Sequence, residues 1–200
     1  MVEYAGRNCY LTHDKITEDS YDGFVKRLMK REHYSPLEFA DMTVEMVVGR
    51  DVMAEITRHR HASFAIQSQR YCRDNATGDI EFIRPNFYVA EDELLDAKKW
   101  CASRKWEEDC RKVEQSYAYY TTECGLKPQD ARVCLPNSCA TRIVMKANLR
   151  EWIHIFNLRT SEAAYPKMRD IMIDLLNQAV PYYDTVFGGH WKDKDGQVII

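Results

Sequence analysis

Between Arg58 and Tyr71 the chain reads Arg-His-Arg-His-Ala-Ser-Phe-Ala-Ile-Gln-Ser-Gln-Arg-Tyr: three arginines, two histidines, two serines and two glutamines in fourteen residues, with no acid. A solvated helix face mixes both signs of charge, because opposite charges at helical spacing support the helix. A stretch of one sign reads instead as a place that receives an anion, and the fold has to present it. Net charge over the 200 residues is −3. The basic stretch is therefore local, which favours a small anionic ligand over a long duplex.

The length fits one domain over residues 1–200, with ample material for a core. Seven cysteines (9, 72, 101, 110, 124, 134 and 139) form no C-x-x-C pair, and the six histidines do not fall into ligand spacing with them. Reduced thiols in a cytoplasmic protein and no metal site are expected. No apolar run approaches the roughly 20 residues that span a bilayer, so no membrane association is expected.

Ser20 to Lys30 has a helical apolar face. Pro36 should end any helix before it and push Ser35 into an extended backbone, making His33–Pro36 a polar loop. Met42, Val44, Met46 and Val48 alternate with Thr43, Glu45 and Val47, which predicts a strand broken by Gly49. Asp51 is placed to cap a short helix from Val52 to His59, so that Arg58, His59 and Arg60 sit at its C-terminal end, where cations are favoured. The rest of the opening stretch reads as a basic loop. Residues 74–90 read as a further loop with an extended piece at Ile80–Ile83. A long helix is expected from Glu91 to Thr122, its Trp and Tyr residues packing a core. A short helix follows over Lys127–Arg132, with Pro128 in its first turn.

Arg142 to Ala147 alternates again as a strand. Asn148 followed by Glu151 is a capping-box pattern that starts a helix reaching Asn157. Met168 to Ala179 forms a last helix, which Pro166 either starts or kinks, and the tail from Pro181 is expected to be partly loose. The sum is an α+β, helix-rich fold with a small antiparallel sheet. No dinucleotide fingerprint, P-loop or nucleophile elbow is present, and no cysteine has a nucleophile's context. Arginines, hydroxyls and amides bind and stabilise charge, so the chemistry of an enzyme built from them would come from a cofactor.

Arg58-His59-Arg60, seven residues and then Ser68 resembles the R-H-R-x7-S signature of the flavin-dependent thymidylate synthases. His33-Tyr34-Ser35-Pro36-Leu37-Glu38 is similar to an upstream element of that family, and Ala131-Arg132-Val133-Cys134-Leu135-Pro136 to a downstream one. Asn148-Leu149-Arg150 and Asn157-Leu158-Arg159 resemble its two Asn-x-Arg steps. These five elements stand in the family's order over roughly residues 33–175.

The resemblance implies a homotetramer whose active sites are shared between subunits. It implies reductive methylation of dUMP to dTMP, with FAD as the bound cofactor, and NADPH and methylenetetrahydrofolate as co-substrates. It implies flavin contacts at Ser35 (from a neighbouring subunit), Arg58, His59, Arg60, Asn148, Arg150 and His154, with backbone contact at Ile66. For dUMP it implies Glu55, Arg58, Ile66, Gln67, Ser68, Gln69, Arg70, Arg132 and Arg159. Arg70 and Arg132 suit the phosphate. Arg159 would stabilise negative charge on the uracil ring, and Ser68 and Arg159 would be the catalytic pair. Ala65 and Ile66 depart from the family, which often has Asn and Glu, or a Gln, there.

Two rivals make different demands. A nucleic-acid or nucleotide-binding module using this basic stretch would show steep salt dependence. A thymidylate synthase of the cysteine-nucleophile type would need Cys134 or Cys139. No nucleic-acid partner is expected.

Overall fold

The first alternating run forms strand β1 (Asp41–Gly49), with Met42, Met46 and Val48 buried. It belongs to a computed structural model that describes residues 1–70, 80–90 and 96–188. Strand β2 (Ala62–Ile66) and strand β3 (Ala140–Asn148) complete a three-stranded antiparallel sheet of order β1-β3-β2. Along β3, Thr141, Ile143, Met145 and Ala147 are buried, the period of two that its sequence predicts.

Strand β2 lies inside the stretch expected to be a basic loop. Ala62, Phe64 and Ile66 are half-buried and alternate with exposed Ser63 and Ala65. Five residues of strand period are hard to see between flanking arginines and glutamines.

Helices α1 (Val2–Asn8), α2 (Ser20–Lys30), α3 (Arg50–Ile56), α4 (Ala97–Ala118), α5 (Pro128–Ala131), α6 (Leu149–Arg159) and α7 (Pro166–Tyr183) surround these strands in sequence. The reading of α2 matches its bounds. It closes at Glu32, whose φ of 56° is left-handed; the His33 N–H donates to the Leu28 carbonyl and the Glu32 N–H to the Met29 carbonyl. That is a Schellman ending on a residue other than glycine.

Ser35 is not extended. Ser35–Phe39 is a 3-10 helix with Pro36 in its first turn, where the missing N–H leaves no bond unmade. Helix α1 was not foreseen. It packs so closely at Gly6 that a Cβ there would lie 2.7 Å from Cζ of Phe24.

Helix α3 is capped by extended Gly49, not by Asp51, which lies within its first turn. The N–H groups of Arg50 and Asp51 donate to the carbonyls of Cys139 and Asn137, both at 3.2 Å. Asp51 still serves the first turn from within it: its Oδ1 accepts from the Val52 N–H at 2.9 Å. The helix stops at Ile56, so Arg58, His59 and Arg60 follow its end instead of forming its last turn. Helix α4 starts later than expected, where Asp96 accepts from the N–H groups of Lys98 and Lys99; the expected segment 91–95 lies outside the described residues. Pro166 starts α7, and the chain stays helical through a π-helical turn to Gly188, with Phe187 fully buried. The loose tail is therefore absent up to Gly188.

The chain packs as two compact units, one of Met1–Val44, His59–Ser63 and Met145 onward, the other of Glu45–Arg58 and Phe64–Val144. In the first, α6 and α7 bury Trp152, Phe156, Met168, Met172 and Leu176. The Phe156 ring sits 5.4 Å from those of Trp152 and Phe187, and Trp152 Nε1 donates to the Met42 carbonyl at 3.0 Å. Each such aromatic contributes about 1.5–3 kcal/mol by burial. The second unit is built on Ile80, Tyr117, Ala131 and Cys139, with Phe82 and Val113 against them.

Candidate active site

The face of α6 that does not enter the core carries Arg150, His154 and Asn157, spaced i, i+4, i+7 and exposed. They line a cleft of about 600 Å³ together with Tyr34, Glu38, His61, Asn148, Glu151 and Ile153. Helix α6 opens on the predicted cap: Asn148 Oδ1 accepts from the Glu151 N–H at 2.8 Å. The NH₂ group of Asn148 then points its donors away from the helix end, where they can meet a ligand. Arg150 is paired with Glu38 at 2.6 Å, both about half exposed. Such a pair is worth at most about 1 kcal/mol, so a ligand can displace it. Burial, with the charge of Glu32, holds the Tyr34 phenol above its ordinary range; it stays a neutral donor.

The far end of α6 is held more firmly. Thr160 Oγ1 donates to the Phe156 carbonyl at 2.6 Å, and its own carbonyl accepts from Arg169 Nε at 2.9 Å. Arg159, in the last turn, favours the helix dipole. Its Nε–H donates to Nε2 of His59 at 3.0 Å. The His59 side chain is 4% exposed, and its Nδ1 lies 3.7 Å from Glu151 Oε1. The His154 ring stands 6.1 Å from it, edge-on. Burial, then the Arg159 charge, then His154 bring the His59 pKa down to about 4, so this imidazole is neutral at physiological pH.

The donor atoms of His59, Glu151 and His154 lie within 4.8 Å of one another, a spacing compatible with a metal ion. The bond from Arg159 opposes that use. A guanidinium only donates, so Nε2 of neutral His59 holds the lone pair and Nδ1 holds the hydrogen. Nδ1 then has no lone pair for a cation, and the guanidinium beside it repels one.

Of the residues expected to touch flavin, the structure brings Asn148, Arg150 and His154 to one cleft, with His59 packed beside Glu151 and His154. Arg58 and Arg60 are exposed. Ser35 lines a different hollow of about 390 Å³, with Tyr10, Phe24, Arg27, Arg31 and His33 among its walls.

Of the residues expected to touch dUMP, Arg159 is the one bonded to His59. The others belong to the second unit. Glu55 is in α3, Ile66 ends β2, and Gln67 continues that strand: its N–H donates to the Arg142 carbonyl at 2.9 Å and its Oε1 accepts from the Arg142 N–H at 3.3 Å. Ser68 Oγ accepts from the Arg70 N–H at 3.3 Å, a local turn that orients the hydroxyl. Gln69 is buried, Arg70 is exposed, and Arg132 is exposed on a 3-10 turn, its Nε donating to the Gln129 carbonyl at 3.2 Å.

Glu151, Tyr34, His61 and Asn157 were not singled out for this cleft. Glu151 had a signal, since it precedes His154 by three residues on one helix face, but the capping pattern accounted for it first.

Comparison with known proteins gives the cleft its context. The family described as Thy1, thymidylate synthase complementing protein, matches residues 1–182. The chain is similar to the flavin-dependent thymidylate synthase of Mycolicibacterium vanbaalenii, 32% identical over 196 residues that cover 94% of this chain and 77% of that protein. It is similar to the enzyme of the same name from Corynebacterium glutamicum, 29% identical over 197 residues covering 94% and 78%. It is 30% identical over 196 residues to the one from Mycobacterium avium, covering 94% and 77%.

Proposed function

The chain belongs to the thymidylate synthase complementing protein family, the flavin-dependent thymidylate synthases, and we propose that it converts dUMP to dTMP by reductive methylation with a bound FAD, taking carbon from methylenetetrahydrofolate and reducing equivalents from NADPH. The observation that carries the reading is the cleft on α6, where Asn148, Arg150 and His154 converge. Its lining suits a flavin: an amide NH₂, a displaceable guanidinium, imidazoles and a neutral tyrosine can meet the ring's carbonyls and nitrogens. The chemistry a bound flavin supplies is hydride transfer.

The protein's own groups do the rest. Arg159 holds positive charge where the uracil ring gains negative charge, and a preorganised donor of this kind is worth about 3 kcal/mol in the transition state. Ser68 places its hydroxyl on the nucleotide beside Gln67 and Gln69. Arg70 and Arg132 grip the phosphate in forks, and Glu55 and Arg58 complete the nucleotide's surroundings. Arg58, His59, Arg60 and the backbone of Ile66 face the flavin.

No cysteine is asked to attack the base. Cys139 is fully buried in an apolar cluster. Burial raises the Cys134 thiol, which donates to the Ala131 carbonyl. Neither is suited to be a thiolate.

The assembly is a homotetramer with shared sites, in which Ser35, lining a hollow of its own, meets the flavin of another subunit's cleft. Exposed Tyr182, Leu11, Val133 and Tyr10 are apolar surface that assembly can cover. Among the described residues no helix is long and apolar enough to cross a membrane; the proposed place of work is the cytoplasm. A nucleic-acid module is disfavoured by the net charge of −3.

The test is a visible spectrum of the purified protein, then dTMP formation with dUMP, methylenetetrahydrofolate and NADPH. A yellow protein forming dTMP is expected. A colourless protein that takes up no FAD, with or without dUMP, rejects the reading.

A further inference from the structure

We propose that Glu151 and His59 are positioning residues for Arg159, forming a relay in which Glu151 holds the imidazole and the imidazole fixes the guanidinium. The inference rests on the reading above that Arg159 serves the uracil ring.

Both ends of the relay are on one helix. Glu151 is in the first turn of α6, where an acid is favoured, and its N–H is tied to the Asn148 cap. Arg159 ends the same helix eight residues later, about 12 Å along the axis. His59, from the turn before β2, bridges them: Nε2 accepts from Arg159 at 3.0 Å, and Nδ1 lies 3.7 Å from Glu151 Oε1. The second contact is longer than a hydrogen bond and acts through charge, drawing the N–H of the ring toward the carboxylate. Both side chains are shielded, at 4% and 13% exposure, so this attraction is weakly screened.

The proton pattern follows from the donors. Arg159 can only donate, so the bond exists only while Nε2 is bare, and the carboxylate favours the tautomer with hydrogen on Nδ1. Glu151 thereby acts two bonds away from the group it serves. A bond through Nε, as opposed to a terminal nitrogen, sets the plane of the guanidinium. That plane decides whether its donors meet a ring edge, and a small error in such placement costs rate far more than binding.

Glu151→Gln keeps the side chain's size and removes its charge. The expected result is a loss of roughly tenfold in kcat at saturating FAD, with dUMP affinity unchanged. In an Arg159→Lys background, which lacks the Nε fork, the same change should cost nothing further. Independently of turnover, nitrogen NMR of the intact protein labelled in its histidines should show His59 as the Nδ1–H tautomer at neutral pH.

An unchanged kcat in Glu151→Gln, fully additive losses in the double variant, or an Nε2–H tautomer or imidazolium at His59 would each overturn the proposal. Where Glu151→Gln folds poorly, Glu151→Asp, which keeps the charge but shortens its reach, should lower kcat in the same direction, and the NMR arm tests the His59–Arg159 half by itself. If Arg159→Ala keeps normal turnover, the ring-polarising role of Arg159 fails instead, and the tautomer still reports whether the relay exists.

Discussion

Arg159 and Arg132 are both proposed as dUMP contacts, yet the protein holds them differently. Arg159 ends an eleven-residue helix whose inner face is buried around Trp152 and Phe156, and its guanidinium is bonded to a buried imidazole. Arg132 stands exposed on a three-residue turn and donates to the carbonyl three residues before it. The difference is the one the proposed roles call for. Charge that must be in place when a transition state forms has to be fixed beforehand. Charge that grips a phosphate can wait in water, because the doubly charged ligand orders it on arrival.

The supports should differ most. Phe156→Ala, under the helix that carries Arg159, is expected to cost about 3–5 kcal/mol in denaturant unfolding. Val133→Ala, next to Arg132 and 83% exposed, should stay within about 0.5 kcal/mol. Equal losses at the two sites would erase the contrast.

Turnover comes next. Arg159→Ala should lower kcat by about 10²–10³-fold while FAD stays largely bound by absorbance. Arg132→Ala should instead raise the KM for dUMP by roughly tenfold with kcat nearly kept. A KM effect at Arg159 and a kcat effect at Arg132 would invert the assignment.

The most gradual effect is acid sensitivity. The pKa of His59 is depressed from 6.5 to about 4. Above pH 6.5 both folded and unfolded chains carry it neutral, and it is stability-neutral there. As pH falls toward 4, the unfolded chain takes a proton that the folded one refuses. Stability is lost across that window, by no more than about 1.4 kcal/mol per pH unit. His59→Gln should therefore lose less Tm than the parent between about pH 7 and about pH 5, whereas Arg132→Ala, which leaves His59 in place, should track the parent.

Much of this was legible where the chain repeats a period. β1, β3, α2, α6 and α7 announce themselves by alternation or by an i, i+3, i+4 face, and the Asn148 cap was readable from two residues. β2 was hidden because only five residues carry its period and charged neighbours dominate them. The start of α3 was read two residues late: Asp51 does accept from the Val52 N–H, but backbone carbonyls at residues 137 and 139 hold the two N–H groups before it, and no local pattern shows a partner so far along the chain. The tail was judged by its glycines, while Phe187 is held by Phe156 from another helix. In the site, motif order pointed to Arg159, His59 and Asn148. It could not point to Glu151, whose part depends on a histidine far away in sequence.

That distance has a consequence for how the protein is made. The His59–Arg159 bond joins residues 100 apart, and Trp152–Met42 and Arg150–Glu38 join residues 110 and 112 apart. At about 5–20 residues per second, a ribosome adds Arg159 roughly 5–20 s after His59. Through that interval the nascent chain carries a histidine shaped for burial with nothing to bury it against. These pairings can form only after α6 has been made, and a message cut short before α6 leaves His59 without Arg159 and Glu151.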